Sequence, residues 1–465
     1  MKIGLLIPDG VGVRNFLLGP FLGLAAEKHE TFVLHTIPWE ILSAYASRVG
    51  DRVRWDHLLS GRESLLSSLL RYSLAYAQMY WADTQAMRFN LALPVKGSWR
   101  TRGMHHAAKA IGRTAASPRG IQLLDRWHCK AAGRLGEVAH YRRLFEEINP
   151  SVLFCSHQRP LSIIQPVIAA RQAGIPTATF IFSWDNLTSK GRIMLPFDHY
   201  LVWSEHMGRE LLRYYPDISQ DRIHVVGTPQ FDPYADETLL WTREEFFRRV
   251  GADPGRPLIC YSGGDLGTCP EDPQHLRMLL ELIRSGEIRG NPQVIARPAP
   301  VDDGKRYDSS RKAFPELIFS RPQWLHMRPG DWASVQPTAE DLQFLANLVR
   351  HCDLNINMAS TMTLDFSIHD KPVVNIAFDV ADPPPFGVSL WDFFYRFEHY
   401  RPVVEIGAAR FARSPSELAQ HVNAYLDDPA LDREERRRLV ELEVGLPIGQ
   451  SSPRIREVLE NIGRA

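Results

Sequence analysis

The chain has 465 residues, of which 44% are apolar, and its 54 lysines and arginines are balanced by 54 aspartates and glutamates. The length suits two α/β domains, and the zero net charge excludes the basic composition of a general nucleic-acid binder. No apolar run reaches the roughly 18 residues of a membrane span, and the first run is too short for a signal peptide. Five scattered cysteines without metal-ligand spacing predict reduced thiols in a cytoplasmic protein.

Residues 3–7 predict a buried strand that leads through a glycine-bearing turn into a helix. The turn lacks the third glycine of a dinucleotide fingerprint, which excludes that motif. Open α/β sheets bind ligands at the carboxyl ends of their strands. Asp9, Arg14 and Asn15 follow this strand and are therefore candidate site residues, with capping of the first helix as the alternative for Asp9.

The region from about residue 50 to 148 predicts a helical insertion that exceeds an ordinary connection between a strand and a helix. Between residues 96 and 143, eleven lysines and arginines face only Asp125 and Glu137. Such a local positive field favours an anionic partner. A membrane surface, an acidic glycan and a plain solvated helical face are the three interpretations that the pattern leaves open.

Alternating strands and helices return at residue 150. Residues 151–155 and 177–182 predict two strands, and a polar loop follows each of them. Loops at the carboxyl ends of parallel strands converge on one edge of a sheet. The residues expected to line that edge are His157, Arg159, Asp185, Asn186 and Lys190.

A second domain is predicted to begin near residues 251–255. Its first strand, residues 258–261, is followed by a glycine-rich loop that contains Gly263 and Gly264. Glycines let backbone N–H groups approach a phosphate without obstruction by side chains. Arg297, at the end of a further strand, would offer a guanidinium to phosphate oxygens.

Residues 342–379 predict a helix, a strand, a polar turn, a second helix and a second strand. The apolar spacing changes from helical to alternating and back, as a βαβ unit requires. Ser360 and Thr361 lie where the second helix begins, and free N–H groups at such a position attract anions. Capping of that helix is the alternative for Ser360. Near the C-terminus, residues 399–404 predict a strand and residues 414–426 a helix.

The run CDLNINMASTMTLDFSIHDKPVVNIAFD, residues 352–379, resembles the donor-binding segment of GT-B glycosyltransferases. The likeness is strongest to bacterial surface-polysaccharide transferases and CDP-glycerol glycerophosphotransferases. HVVGTPQFD, residues 224–232, is similar to their G-x-P-x-F-D turn, and QVIARPAP, residues 293–300, resembles their strand ending in R-P-H-P. Gln230 and Ala299 stand where those families have a basic residue and a histidine.

The resemblance implies two Rossmann-like α/β domains that face a cleft. Residues 1–235 would form the acceptor domain, residues 255–430 the nucleotide-donor domain, and residues 431–465 helices that return to the first domain. Ser360 and Thr361 would bind the donor diphosphate, aided by Arg297 and the Gly263–Gly264 loop, and Asp365 would lie near the sugar or ribose.

Asp9, His157 and Asp185 then become alternative bases for an inverting transfer, and Arg14, Asn15, Arg159, Asn186 and Lys190 become acceptor-side residues. The sequence has no D-x-D motif, which predicts transfer without a metal or other cofactor.

The implied activity is transfer of a sugar from a nucleotide sugar to a surface-glycan or lipid-linked acceptor, by a cytoplasmic enzyme on the inner face of the membrane. The alternatives are a CDP-alditol polyol-phosphate transferase, a UDP-sugar 2-epimerase and a non-catalytic GT-B scaffold that binds a glycan or a protein. No nucleic-acid partner is expected.

Overall fold

The computed structural model of the chain describes residues 1–326, 335–445 and 447–464. The chain divides after Asp232 into two compact units. Unit 1 runs from Met1 to Asp232 and takes in the C-terminal segment that begins at Pro447, and unit 2 begins at Pro233. Each unit is built on a parallel sheet of its own.

The sheet of unit 1 has seven strands. They are β1 (Lys2–Ile7), β2 (Glu30–His35), β3 (Val53–His57), β4 (Val152–Cys155), β5 (Thr177–Phe180), β6 (His199–Val202) and β7 (Ile223–Val225). Their order is β3-β2-β1-β4-β5-β6-β7, and every neighbouring pair is parallel. After Lys2, β1 is apolar and buried, and β4 is apolar throughout, because helices cover both faces of a parallel sheet.

The helices of unit 1 before residue 233 are α1 (Gly10–Gly12), α2 (Phe21–Lys28), α3 (Trp39–Ala46), α4 (Leu65–Ala82), α5 (Gln85–Ala92), α6 (Trp99–Thr114), α7 (Pro118–Ala132), α8 (Gly136–Ile148), α9 (Ile164–Gln172), α10 (Asn186–Ser189) and α11 (Glu205–Tyr214). A π-helical turn, Val13–Leu18, follows α1. Helices α4 to α8 form the predicted insertion between β3 and β4. The insertion is helical only from Leu65 and not from about residue 50, because Val53–His57 pairs with β2 as a strand of the sheet.

The insertion has a small core of its own, in which Leu70 and Leu74 of α4 pack against Ile121 and Leu124 of α7. A buried ion pair ties this core to the rest of unit 1. Arg192 donates from Nη2 to Asp125 Oδ2 at 2.5 Å and from Nη1 to Gln78 Oε1 at 3.0 Å. A charge buried in this way is tolerated only with such a partner, so the ion pair fixes the position of α4 and α7.

Unit 2 contains a six-stranded sheet in the order β10-β9-β8-β13-β14-β15 and a short antiparallel hairpin of β11 and β12. The strands are β8 (Leu258–Ser262), β9 (Gln293–Arg297), β10 (Ile318–Phe319), β11 (Leu325–His326), β12 (Val335–Gln336), β13 (Leu354–Asn357), β14 (Val373–Ile376) and β15 (Arg410–Ala412). The helices are α12 (Arg243–Val250), α13 (Asp272–Arg284), α14 (Asp308–Ala313), α15 (Ala339–His351), α16 (Met362–Ile368), α17 (Arg401–Ile406), α18 (Pro415–Asp427) and α19 (Arg433–Glu443).

One predicted strand of unit 2 is wrong. Residues 401–406 form helix α17, and the last strand of the sheet is β15. Pro402 lies in the first turn of α17, where its missing N–H costs no hydrogen bond. Val403 and Val404, which the prediction placed in a strand, thus belong to a single short helical segment.

The chain returns to unit 1 as helix α20 (Ser451–Ile462), which Asp232 holds at its start. The Asp232 carboxylate accepts hydrogen bonds from the backbone N–H groups of Ser451 at 3.2 Å and Ser452 at 2.9 Å, and from Ser452 Oγ at 2.7 Å. Gly227 has a φ of 80°, and a Cβ there would lie 2.5 Å from Ser451 Oγ. The glycine and the aspartate of the G-x-P-x-F-D turn therefore both serve the attachment of α20.

We expect Asp232→Ala to lower the free energy of unfolding by about 3 kcal/mol, because it leaves two buried N–H groups and a hydroxyl without their charged acceptor. Urea unfolding of the full chain measures the change. The matched control is Asp236→Ala, which removes a capping bond at an exposed turn and should cost about 1 kcal/mol or less. Equal costs for the two variants would contradict the proposed role of Asp232.

Candidate functional site

The carboxyl edge of the unit 1 sheet carries a buried pair of ionisable side chains. Asp9 follows β1 and His157 follows β4, and these two strands are neighbours in the sheet. His157 Nδ1 and Asp9 Oδ2 share a hydrogen bond, and Asp9 Oδ1 accepts the Gly12 N–H at 3.0 Å. Asp9 is 7% exposed and His157 is 9% exposed. The structure thus joins two residues that the sequence offers only as alternatives.

The surroundings of Asp9 fix the roles within this pair. Burial raises the pKa of Asp9, but the charge and hydrogen bond of His157 and the N–H groups of Gly12 and Val11 outweigh it, so that the net pKa lies below its ordinary value. An ionised Asp9 accepts the proton on Nδ1 and leaves the lone pair of His157 on Nε2. Nε2 is buried and has no hydrogen-bond partner among the described residues. This is the arrangement of a histidine oriented as a general base.

Arg14 and Asn15 lie in the π-helical turn after Asp9 and are tied to a distant segment of the same unit. Arg14 donates from Nη2 to Gln230 Oε1 at 2.7 Å and from Nε to Asn15 Oδ1 at 3.1 Å. Gln230 stands where the families that this turn resembles have a basic side chain. A glutamine can accept from Arg14, whereas a second cation at this position would repel it.

The loops after β4 and β5 are cross-linked beside His157. The Asp185 carboxylate accepts from Ser183 Oγ at 2.6 Å, Asn186 Nδ2 at 3.2 Å and Ser189 Oγ at 2.9 Å, and it lies 3.5 Å from Lys190 Nζ. These contacts make Asp185 an organiser of its loop. The two loops meet where Gln158 Nε2 donates to Asn186 Oδ1 at 2.8 Å and Arg159 Nη1 donates to the Lys190 carbonyl at 2.6 Å.

The glycine-rich loop of unit 2 uses its own N–H groups internally, which differs from the expectation that they face a phosphate. The Gly263 N–H donates to the Arg297 carbonyl at 2.9 Å, and the Gly264 N–H donates to Asp272 Oδ2 at 2.5 Å. A Cβ on Gly263 would overlap the Tyr307 hydroxyl, and a Cβ on Gly264 would overlap Cys269 Sγ. Close packing therefore requires both glycines.

Asp272 acts as an internal anion beneath this loop. It is fully buried and accepts from Tyr261 OH at 2.7 Å and Tyr307 OH at 3.3 Å, with Arg306 Nη2 at 3.5 Å. Burial raises the pKa of Asp272 to about 6, against the opposing effects of Tyr261 and Arg306. No pattern in the sequence indicates this role, since Asp272 has the position of an ordinary first-turn helix residue.

The elevated pKa of Asp272 predicts a specific dependence of stability on pH. Because the folded state holds this proton more tightly than the unfolded chain, stability should fall as pH rises from about 4 to about 6, by about 3 kcal/mol for this group. Urea unfolding at pH values from 4 to 8 should show this component in the wild type and lose it in Asp272→Asn. The exposed Asp303→Asn is the control, and identical profiles for the wild type and Asp272→Asn would refute the assignment.

Arg297 is buried and paired. Its Nη2 lies 2.8 and 2.9 Å from the two oxygens of Asp341, which also accepts from Gln323 N and Trp324 Nε1, both at 2.7 Å. The guanidinium is 7% exposed, and its Nη1 has no hydrogen-bond partner among the described residues. Asp341 therefore compensates much of the Arg297 charge that was expected to bind a diphosphate.

The turn with Ser360 and Thr361 rests on a buried polar network. Asn357 Oδ1 accepts the Ser360 N–H at 2.9 Å, and Asn357 Nδ2 donates to Asn355 Oδ1 at 2.6 Å. Ser360 Oγ accepts the Met362 N–H at 3.3 Å, whereas the Thr361 side chain makes no capping bond. The network continues through Thr363, Asn375 and Tyr400. Such fully paired amides fix the shape of a turn.

Asp365, expected near a sugar or ribose, lies on the buried side of α16. It is 3% exposed and accepts a hydrogen bond from the Tyr234 hydroxyl. Tyr234 comes from the segment that opens unit 2, 131 residues earlier in the chain. Nothing in the local pattern of either residue indicates this contact, since both fit ordinary amphipathic spacing.

Within residues 1–326, 335–445 and 447–464, no group of three or more His, Cys, Asp and Glu side chains could hold a metal ion. In the same part of the chain, every helix is too short or too polar to cross a bilayer.

Comparison of the sequence with protein-family models and with curated proteins finds no match. The structure, however, resembles solved structures over the whole chain. UDP-GlcNAc 2-epimerase from Neisseria meningitidis bound to UDP-GlcNAc has a TM-score of 0.53 and 11% identity, over 99% of this chain and 100% of the other. A glycosyltransferase from Rickettsia africae has a TM-score of 0.50 and 11% identity, over 99% and 98% of the two chains.

The wall teichoic acid polymerase TagF matches with a TM-score of 0.50 and 9% identity, over 100% of this chain and 88% of its own. At these identities the likeness establishes the fold. The predicted GT-B class, with two Rossmann-like parallel-sheet domains, is therefore confirmed, and so is the resemblance to GT-B glycosyltransferase-like proteins at the level of fold.

Proposed function

We propose that the protein is a GT-B glycosyltransferase that moves a sugar from a nucleotide sugar to a surface-glycan or lipid-linked acceptor without a metal. The observation that carries this proposal is the buried Asp9–His157 pair at the carboxyl edge of the unit 1 sheet, in which His157 Nε2 has no hydrogen-bond partner among the described residues. A buried charge pair is costly to maintain, so one with an unused base atom supports a catalytic role over a purely structural one.

In the proposed mechanism His157 is the base and Asp9 positions it. As the acceptor hydroxyl oxygen bonds to the anomeric carbon, its proton passes to His157 Nε2. The bond from that carbon to the diphosphate oxygen breaks, and the nucleoside diphosphate leaves with the electron pair. Asp9 stays ionised and stabilises the imidazolium, as the carboxylate of a catalytic triad does. Attack on the face opposite the leaving group inverts the anomeric configuration.

Unit 2 would bind the donor. The Ser360–Thr361 turn supplies hydroxyl groups on a rigid base. Arg297 Nη1 has no hydrogen-bond partner in the described part of unit 2, which suits a phosphate oxygen. Gly263, Gly264 and Asp365 would shape this site from behind, because their polar groups are bonded within unit 2. The neighbour from Neisseria holds UDP-GlcNAc, which supports a nucleotide-sugar donor.

The acceptor-side residues Arg14, Asn15, Arg159, Asn186 and Lys190 belong to unit 1 with His157. Their bonds to Gln230 and to each other hold the loops around the base. In the proposal they orient the acceptor, and Asp185 keeps their loop in shape.

The epimerase likeness supports a second candidate, a UDP-sugar 2-epimerase. An epimerase converts UDP-GlcNAc in the absence of an acceptor and yields a C2 epimer, whereas a transferase yields a glycoside and free nucleotide. The polyol-phosphate alternative would consume a CDP-alditol. Product analysis by NMR separates the three activities.

The proposed function is tested first by thermal shift with UDP, GDP, CDP, CMP and TDP. Turnover is then measured with the sugar nucleotide that corresponds to whichever nucleotide stabilises the protein. We expect one nucleotide to stabilise the wild type. His157→Ala should bind that nucleotide equally well and lose about a hundredfold to ten-thousandfold in kcat, because it lacks the base but keeps the donor site. The kcat of Asp9→Asn should lie between that of the wild type and that of His157→Ala.

The matched control is His140→Ala, an exposed histidine of α8 in the same unit, which should retain full kcat. Stabilisation by no nucleotide would support the non-catalytic scaffold. Turnover that survives in His157→Ala would exclude this residue as the base.

We further propose that α7 attaches the protein to the inner face of the membrane. Arg119, Leu123, Arg126, Trp127 and Lys130 are all exposed and follow one face of the helix, with Leu123 44% and Trp127 51% exposed. The sequence has no Asp or Glu between residues 84 and 124 to neutralise the cations of this region. A basic helix face with exposed Trp and Leu suits an anionic bilayer surface.

Co-sedimentation with vesicles tests this attachment. Binding should be stronger to phosphatidylglycerol–phosphatidylcholine vesicles than to pure phosphatidylcholine and should weaken with salt, because counterions screen the cations. Leu123→Ala/Trp127→Ala should reduce binding by about tenfold through lost apolar insertion. Trp39→Ala, an exposed tryptophan of α3, is the control, and equal binding to both kinds of vesicle would overturn the proposal.

A further inference from the structure

A cluster of aromatic and histidine side chains lies beside the Asp9–His157 pair, on the same edge of the unit 1 sheet. His35 is the last residue of β2, and His57 is the last residue of β3, and the two are paired in register. His35 is also paired with Ile7, the last residue of β1, two residues before Asp9. Strand spacing places His35 within about 10 Å of Asp9 along this edge.

The cluster has a buried centre and an exposed rim. The His35 ring is fully buried, and its centroid lies 5.2 Å from Trp39, 5.7 Å from Trp55 and 5.7 Å from His57. Trp39 is 55% exposed and His57 is exposed, and their rings are tilted by only 32° with centroids 6.0 Å apart. Two exposed rings therefore stand on a rigid support.

Two buried polar atoms near these rings have no hydrogen-bond partner among the described residues. His35 Nδ1 accepts the Ile37 N–H at 3.1 Å, so the ring proton is on Nε2, which is buried and has no partner among the described residues. Burial lowers the pKa of His35 to about 4, which keeps the ring neutral. Thr36, whose N–H donates to the Ile7 carbonyl at 3.2 Å, has a buried Oγ1 that is also without a partner in the described structure.

We infer that Trp39 and His57 form a platform for a pyranose ring of the acceptor. A pyranose has an apolar C–H face and a rim of hydroxyls, so it requires an exposed aromatic surface with hydrogen-bonding groups around it. An exposed indole beside an exposed imidazole meets that requirement, because the indole N–H and the imidazole nitrogens can hydrogen-bond at the rim, and the buried His35 ring packs against both. The assignment of this ring to the acceptor rests on the proposed function, since the platform adjoins the proposed base and belongs to the same unit.

The position of the platform distinguishes it from other exposed aromatic side chains of unit 1. Trp99 and Trp127 lie on helices α6 and α7 of the insertion, among its lysines and arginines. A lipid surface suits those two residues. Trp39 instead begins the helix that follows β2, at the carboxyl edge where α/β sheets bind ligands. It therefore acts as a specificity-determining residue for the sugar next to the attacking hydroxyl.

Saturation-transfer NMR with methyl glycosides of glucose, galactose, mannose and N-acetylglucosamine tests the platform directly. In the wild type we expect transfer to the C–H protons of one face of at least one glycoside. Trp39→Ala should weaken its binding about tenfold, corresponding to the loss of one stacked ring, and Trp39→Phe should restore most of it. Trp127→Ala, an equally exposed tryptophan, is the matched control and should bind as the wild type does.

The nucleotide thermal shift of the same variants separates this inference from the proposed function. Trp39→Ala should keep the full nucleotide shift while the KM for acceptor rises and donor hydrolysis is unchanged. Glycoside binding that depends on Trp39 without any nucleotide response would sustain the sugar platform and end the transferase proposal. Binding that is indifferent to Trp39, or absent for all four glycosides, would overturn the platform itself.

Discussion

The hydrogen bond between Asp9 and His157 is the interaction on which the candidate site of unit 1 depends. A carboxylate at the buried carboxyl edge of a sheet is stable only if other groups compensate its charge. The Gly12 N–H and the His157 imidazole do so. The bond from Gly12 also fixes the first helical turn, and the bond to His157 fixes the tautomer of the imidazole. The adjacency of β1 and β4 brings the two side chains together, so the sheet order is a precondition of the chemistry.

In unit 2 the same physical rule gives a different result. Polar groups that resemble ligands in the sequence are mostly bonded to partners within the unit: the Gly264 N–H to Asp272, Arg297 to Asp341, and Asp365 to Tyr234. A buried polar group must be paired whether or not a ligand is bound. These internal partners give the Ser360–Thr361 turn a rigid surrounding, so that the proposed donor would bind there without reorganisation.

The sequence predicted the fold well because parallel strands are long apolar runs that helical spacing separates. It failed at residues 401–406, where the apolar stretch is too short to distinguish a strand from a helical turn. The site was predictable only as a set of loops. His157 lies 148 residues from Asp9 and Asp272 eight residues from Gly264, and no local pattern states which distant carboxylate meets which donor. The platform around Trp39 was missed entirely because β2 and β3 must first be placed beside β1.

In the proposed mechanism His157 rather than Asp9 is the base because of their mutual effect. A carboxylate whose pKa lies below its ordinary value is a weak base for a hydroxyl proton. The interaction that weakens Asp9 as a base also holds His157 with Nε2 as its free lone pair. An inverting transfer of the kind proposed needs one such atom, fixed in direction, and the described part of unit 1 has a histidine nitrogen of this kind on the sheet edge that also carries His35 and His57.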